Sequence, residues 1–205
     1  MSILHKLTVK PWVQDRGTVV DFRGGGALPL PAAKLGLGLF LAVVTVLFAL
    51  LVSAYVMRMA LADWRPLPEP GLLWLNTAIL VLSSAALQRA RIAARRRRLD
   101  GVRRGLLAGG VFAFAFLAGQ LLAWRQLDAS GYFLATNPAN AFFYLITALH
   151  GLHLLGGLVA WGKTVTRLWR GHEVARLGLG VELCAVYWHF LLAVWLILFG
   201  LLLST

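Results

Sequence analysis

Residues 177–203 read LGLGVELCAVYWHFLLAVWLILFGLLL, a run with no Lys or Arg and with Glu182 as its single carboxylate. As a helix rising 1.5 Å per residue it reaches roughly 40 Å, more than the ~30 Å hydrocarbon core of a bilayer. A helix on the surface of a soluble protein keeps one broad polar face, and this run has none. It reads as a membrane-spanning helix.

Working outward, four more such runs precede it, at about 35–61, 72–88, 105–124 and 139–162. Asp63 ends the first, and Gln88-Arg89 closes the second after a Pro70-Gly71 start. Asn137-Pro138 opens the fourth, with proline in the first turn where its missing N–H costs nothing. The expected fold is all-α: an integral membrane bundle of five transmembrane helices over 34–205, preceded by a cytoplasmic segment, 1–33. Apolar residues make up 60% of the chain, well above the ~45–50% of soluble domains.

The net charge of +12 would suggest nucleic acid in a soluble protein. Here the basic residues fall in alternate loops. Lys6, Lys10, Arg16, Arg23 and Lys34 precede the first span. Arg89, Arg91, Arg95 to Arg98, Arg103 and Arg104 lie between the second and third, and Lys163, Arg167, Arg170 and Arg176 between the fourth and fifth. The other loops hold Arg65 and Arg125. Cytoplasmic loops retain Lys and Arg, so the N-terminus is expected inside and the C-terminus outside. No aromatic residues alternate with the basic run to make a stacking platform, and no nucleic-acid partner is expected.

The single cysteine, Cys184, excludes an intrachain disulfide, and residues 1–31 carry no apolar stretch typical of a signal peptide. Trp12, Trp64, Trp74, Trp124, Trp161 and Trp169 fall near span ends, where indole favours the headgroup region. Trp188 and Trp195, seven residues apart, share one face inside the fifth span. Short connections imply that sequential helices pack as antiparallel neighbours. The pairs Ala115/Gly119 and Gly156/Ala160 allow close approach between helices.

Polar side chains at membrane depth turn inward. The candidates are Asn76, Thr77, Ser83 and Ser84 in the second span, Gln120 in the third, His150 and His153 in the fourth, and Glu182 and His189 in the fifth. His150 and His153 share a helical face, as do Glu182 and His189. If the fourth and fifth helices are neighbours, three imidazoles and a carboxylate would converge. Three uses fit that spacing: a metal or haem site, a proton relay or transport path, and hydrogen bonding that fixes helix packing. A lone HxxH turn is a weak metal signal, and Gly151, Gly156 and Gly157 around it speak for close packing.

Together these residues resemble a known family. His150-Gly-Leu-His-Leu-Leu-Gly-Gly157 is similar to the hallmark segment of haem–copper (cytochrome c) oxidase subunit III. Glu182-Leu-Cys-Ala-Val-Tyr-Trp-His-Phe190, continuing to Trp195, resembles that family's last helix. Lys34-Leu-Gly, Ser53-Ala-Tyr55 and Arg58, Leu73-Trp-Leu-Asn-Thr77 and Phe142-Phe-Tyr144 agree with it. The resemblance covers the chain from about Lys34 onward, and five spans fit the short bacterial form. Two departures are Leu191-Leu-Ala193, where the family commonly has an acidic residue soon after the Phe, and Phe112-Ala-Phe-Ala-Phe116 with only Gln120 polar, where the third helix of many members carries a membrane-embedded Glu.

The resemblance implies a non-catalytic subunit in the bacterial inner membrane that has no cofactor of its own. Haem and copper would reside in partner subunits I and II of a complex coupling cytochrome c oxidation to O2 reduction and proton pumping. The chain would support the stability, lipid binding and proton uptake of subunit I and hold phospholipids. On this reading His150, Gly151, His153, Gly156, Gly157, Glu182, Tyr187, Trp188, His189 and Trp195 are structural, lipid or subunit-interface residues, none catalytic or metal-binding. The alternatives are a subunit III-like protein of a nitric oxide reductase or quinol oxidase complex and an independent haem- or metal-binding membrane protein. A small transporter or assembly factor is a further reading.

Overall fold

A computed structural model of the chain describes residues 31–65, 71–171 and 174–204. Trp12, Pro70 and the basic residues expected to mark the N-terminal side before Lys34 lie outside the described residues, as does the side chain of Arg176. By contacts the chain divides into 1–35, of which the opening turn of a helix is described, and 36–205.

Among the described residues there are five helices: α1 Ala32–Met59, α2 Leu72–Arg95, α3 Leu99–Ala129, α4 Pro138–Trp169 and α5 Val174–Leu203. All five are long and apolar enough to cross a membrane. Most outrun their apolar stretches. α2 continues through Arg89 and Arg91 to Arg95, and α3 starts at Leu99 rather than Gly105, because Arg, Ala and Leu are good helix formers whatever their polarity. Hydropathy marks the slab a helix crosses, not where the helix stops.

The ends follow local rules. Asn137 caps α4, its side-chain oxygen accepting from the Ala139 N–H at 3.2 Å ahead of Pro138 in the first turn. α3 closes with Gly131 in the left-handed region (φ +86), the Tyr132 N–H reaching Leu127 O and the Gly131 N–H reaching Asp128 O, both at 3.0 Å. α2 closes the same way on a non-glycine residue. Arg97 takes φ +53, its N–H bonding Ala94 O at 3.1 Å while the Arg98 N–H bonds Ala93 O at 3.0 Å.

Helices α2, α3, α4 and α5 form a closed ring in which α2 packs on α3, α3 on α4, α4 on α5 and α5 back on α2. The α2–α3 seam is set by Gly101, Gly105 and Gly109, one helical turn apart. A methyl group at Gly105 would sit 2.8 Å from the Ala86 carbonyl oxygen, and one at Gly109 would sit 2.7 Å from Leu87 Cγ. The Ser83 hydroxyl donates to Gly109 O across this seam at 2.8 Å. Of the small-residue pairs expected to make contacts, Gly119 does face α2, at Asn76, but Gly156 has nothing within 4 Å of where a side chain would begin. Spacing marks which residues share a face; it does not say which face finds a partner.

α1 differs from the other four. Its ring contacts run to α4 and α5, through Phe40 to His153 and Tyr187, Phe48 to His150 and His153, and Tyr55 to Phe142. The expected pairing of sequential helices therefore holds from α2 to α5, whereas the α1 rings meet helices remote in the chain. Two of the tryptophans expected in the headgroup belt tie helices together. Trp124 Nε1 donates to Thr147 at 3.0 Å and Trp161 Nε1 to Leu106 O at 2.8 Å. Trp74 and Trp169 are exposed.

Candidate functional site

Four groups were expected to converge if α4 and α5 were neighbours. The two helices are neighbours, yet the groups do not converge on one point: His150 packs among rings of α1, α3 and α5, His153 faces α1, and Glu182 and His189 both turn to α2.

His150 is fully buried among the rings of Phe48 (6.5 Å between centroids), Phe116 (5.8 Å) and Trp195 (5.1 Å). Neither of its ring nitrogens has a hydrogen-bond partner among the described residues. His153, three residues on, faces Phe40 and Phe48 of α1 and hydrogen-bonds its own helix, Nδ1 to Leu149 O at 2.8 Å. His189 looks the other way, into α2. Its Nε2 meets Gln88 Oε1 at 3.1 Å and its Nδ1 meets the Ser84 hydroxyl.

Glu182 pairs with Arg91 of α2 at 3.1 Å, and Arg95 stands 3.9 Å from the same oxygen. Ser84, Gln88, Arg91 and Arg95 recur at four- and three-residue steps, and so form one stripe on α2. Against an antiparallel α5 the stripe makes a ladder: Arg91 with Glu182, then Gln88 and Ser84 with His189, then Thr77 accepting from Trp195 Nε1 at 2.9 Å. Ladder partners Gln88 and Arg91 are absent from the expected site because both sit where hydropathy ends a span. The signal that exposes them is the stripe, read on the assumption that α2 and α5 are antiparallel.

The bundle interior holds a second polar layer, where Asn76 Nδ2 donates to Gln120 Oε1 at 3.4 Å. The Tyr187 hydroxyl donates to His153 O at 2.8 Å and so locks α5 to α4. Trp188 is buried against Gly157, where a methyl group would lie 3.0 Å from its ring and 2.6 Å from that of Tyr187. A methyl group at Gly151 would lie an ordinary 3.8 Å from Leu117. Among the described residues no three His, Cys, Asp or Glu side chains are grouped to hold a metal ion.

A cleft of about 380 Å³ lies between α1, α4 and α5. Phe40, Gly156, Gly157, Leu183, Tyr187 and Trp188 make much of its wall, and Lys163 and Arg167 line it toward the C-terminal end of α4. An apolar cleft with two cations one turn apart suits a molecule with a greasy body and an anionic head.

The sequence profile of cytochrome c oxidase subunit III matches residues 2–203. The chain is 32% identical over 173 residues to cytochrome c oxidase subunit 3 of Synechocystis sp., covering 80% of this chain and 72% of that protein. It is 32% identical over 173 residues to the subunit 3 of Thermostichus vulcanus, covering 82% and 85%. A probable cytochrome c oxidase subunit 3 of Nocardia farcinica is 31% identical over 158 residues, 75% and 78% of the two chains. With five membrane-length helices and both helix motifs in place, the chain belongs to the cytochrome c oxidase subunit III family, a subunit of a membrane-embedded haem–copper oxidoreductase complex.

Proposed function

We propose that the chain is a redox-inert scaffold of a bacterial cytochrome c oxidase, seated in the cytoplasmic membrane with its basic loops inside. The observation that carries this reading is the separation of His150, His153, Glu182 and His189. Each is engaged by rings, by its own helix or by α2, in ties that fix helix packing. Electron transfer belongs to haem and copper in subunits I and II, which this subunit stabilises while supporting proton uptake by subunit I. His150, Gly157, Tyr187, Trp188 and Trp195 set the packing of α4 on α5. Gly156, with Lys163 and Arg167, serves the cleft, which takes a phospholipid.

A tag on this chain tests the reading. Solubilised membranes yield a complex with haem absorbance, the chain separated from it is colourless, and cells lacking it assemble an oxidase that turns over but loses activity sooner. Haem absorbance from the separated chain, or recovery without any haem-bearing partner, refutes the proposal.

A further inference from the structure

The α2–α5 ladder lies in the wall of the bundle, not in its centre. Arg91 and Glu182 keep 22% and 25% of their side-chain surface exposed, and Gln88 and His189 are partly exposed as well. His189 stands at the middle of the 30-residue α5, far from either end. Hydrocarbon offers nothing to such groups, and polar side chains at this depth face protein or a water-filled cavity.

Among the described residues the rest of the wall carries no comparable polar line between two helices: it presents Leu39, Val43, Val46 and Leu50 on α1 and Val111 and Phe114 on α3, with small residues such as Ala42, Ala49 and Ala118 among them. Beside the ladder the outward positions are often small: Ala85 on α2, and Ala193 and Gly200 on α5 are exposed, and nothing lies within 4 Å of where a side chain at Gly200 would begin. Val81, Ile92 and Leu196 add apolar surface at the same seam. Small residues flanking a polar line allow another helix to approach closely enough to hydrogen-bond.

Accepting that the chain is an oxidase subunit, we infer that the α2–α5 seam is its docking face for a transmembrane helix of a partner subunit. That helix brings a hydrogen-bond acceptor, a carboxylate or carboxamide, to the level of Gln88 and Arg91. The local charge selects an acceptor, because Arg89, Arg91 and Arg95 outnumber Glu182 at this end of the seam. Ala85 and Ala193 give the partner room, while Arg91 and Gln88 set its register.

Photo-crosslinking in the intact membrane complex tests this. A benzophenone amino acid is placed at position 85 or 193 on the seam, and at position 43 or 111 elsewhere on the wall. Seam probes are expected to yield a covalent product with a haem-bearing subunit, and the other two to yield none. Arg91→Gln is expected to lower the seam product while the tagged bundle still accumulates in the membrane. Crosslinks to subunits confined to positions 43 or 111, or seam crosslinks to lipid alone, overturn the docking face and leave the oxidase reading standing. Failure of the tagged chain to recover any haem-bearing subunit overturns the oxidase reading itself.

Discussion

The imidazole of His150 lies against the indole of Trp195, ring centroids 5.1 Å apart and tilted by 38°, joining α4 to α5 at the heart of the bundle. With Phe48 and Phe116 completing the surround, the imidazole behaves as a flat, ring-shaped filler. His150→Phe should therefore keep the fold, whereas His150→Ala opens a cavity and should cost about 2–4 kcal/mol. Thermal unfolding in detergent distinguishes the two, and equal loss in both variants would point to a role for the ring nitrogens.

Arg91 and Glu182 form a pair whose partners both lose when one is neutralised. Leaving a charge that is only about a quarter exposed in the wall should destabilise Arg91→Gln and Glu182→Gln by about 1–3 kcal/mol each, less than a fully buried pair would show. The double variant should recover part of that loss. A double-mutant cycle on unfolding midpoints gives the coupling directly, and zero coupling would mean the contact is incidental.

The left-handed backbone of Arg97 costs a residue with a Cβ about 1–2 kcal/mol. Arg97→Gly should raise stability by roughly that amount minus the flexibility it adds to the unfolded chain, about 0.5–1 kcal/mol net. The same change at Arg96, which ends α2 without a positive φ, should give no gain. Chemical denaturation of the three proteins side by side checks this.

Glycines on α3 and α4 should respond oppositely to the same methyl group. Gly105→Ala drives a methyl into the backbone of α2 and should cost about 1–3 kcal/mol. Gly156→Ala meets open space and should be neutral or gain up to about 1 kcal/mol from helix propensity. It should also narrow the cleft, so phospholipid retained through purification should fall even though stability does not.

Beyond the end of α1, Asp63 accepts a two-pronged bond from Arg58, at 2.6 Å on one prong. That hydrogen-bonded guanidinium holds the Asp63 carboxyl below its usual value. A lowered folded value means the contribution is present above the ordinary carboxylate pKa of about 3.9 and is lost as pH falls through the lowered one. Asp63→Asn should therefore lower stability slightly at neutral pH and flatten the acid limb, the two proteins converging as the pH falls through the lowered value. The pair is exposed, so raised salt should shrink the difference.

Five helices are legible in the chain because each carries a long apolar run, and the family is legible in His150–Gly157 and Glu182–Trp195. The site was harder to read for two physical reasons. Periodicity places His150 with His153, but it says nothing about how α4 is rotated against α1 and α5, and that rotation sends the two rings to different surroundings. Arg91 reads as a loop cation because hydropathy weighs its charge, while the backbone weighs its helix propensity and carries α2 past it. Gly101 lies in a charged stretch outside the expected third span, so the full four-residue rhythm it shares with Gly105 and Gly109 escapes a search limited to apolar spans.

The turn between α2 and α3 has a consequence for how the protein is made. Residues 96–98 leave no slack, so α3 cannot enter the lipid long after α2; the pair must be threaded as one hairpin. Its tip carries three arginines in succession, which resist transfer through the hydrocarbon. Gly105 and Gly109 then close against α2 as soon as the hairpin forms, over a short sequence separation.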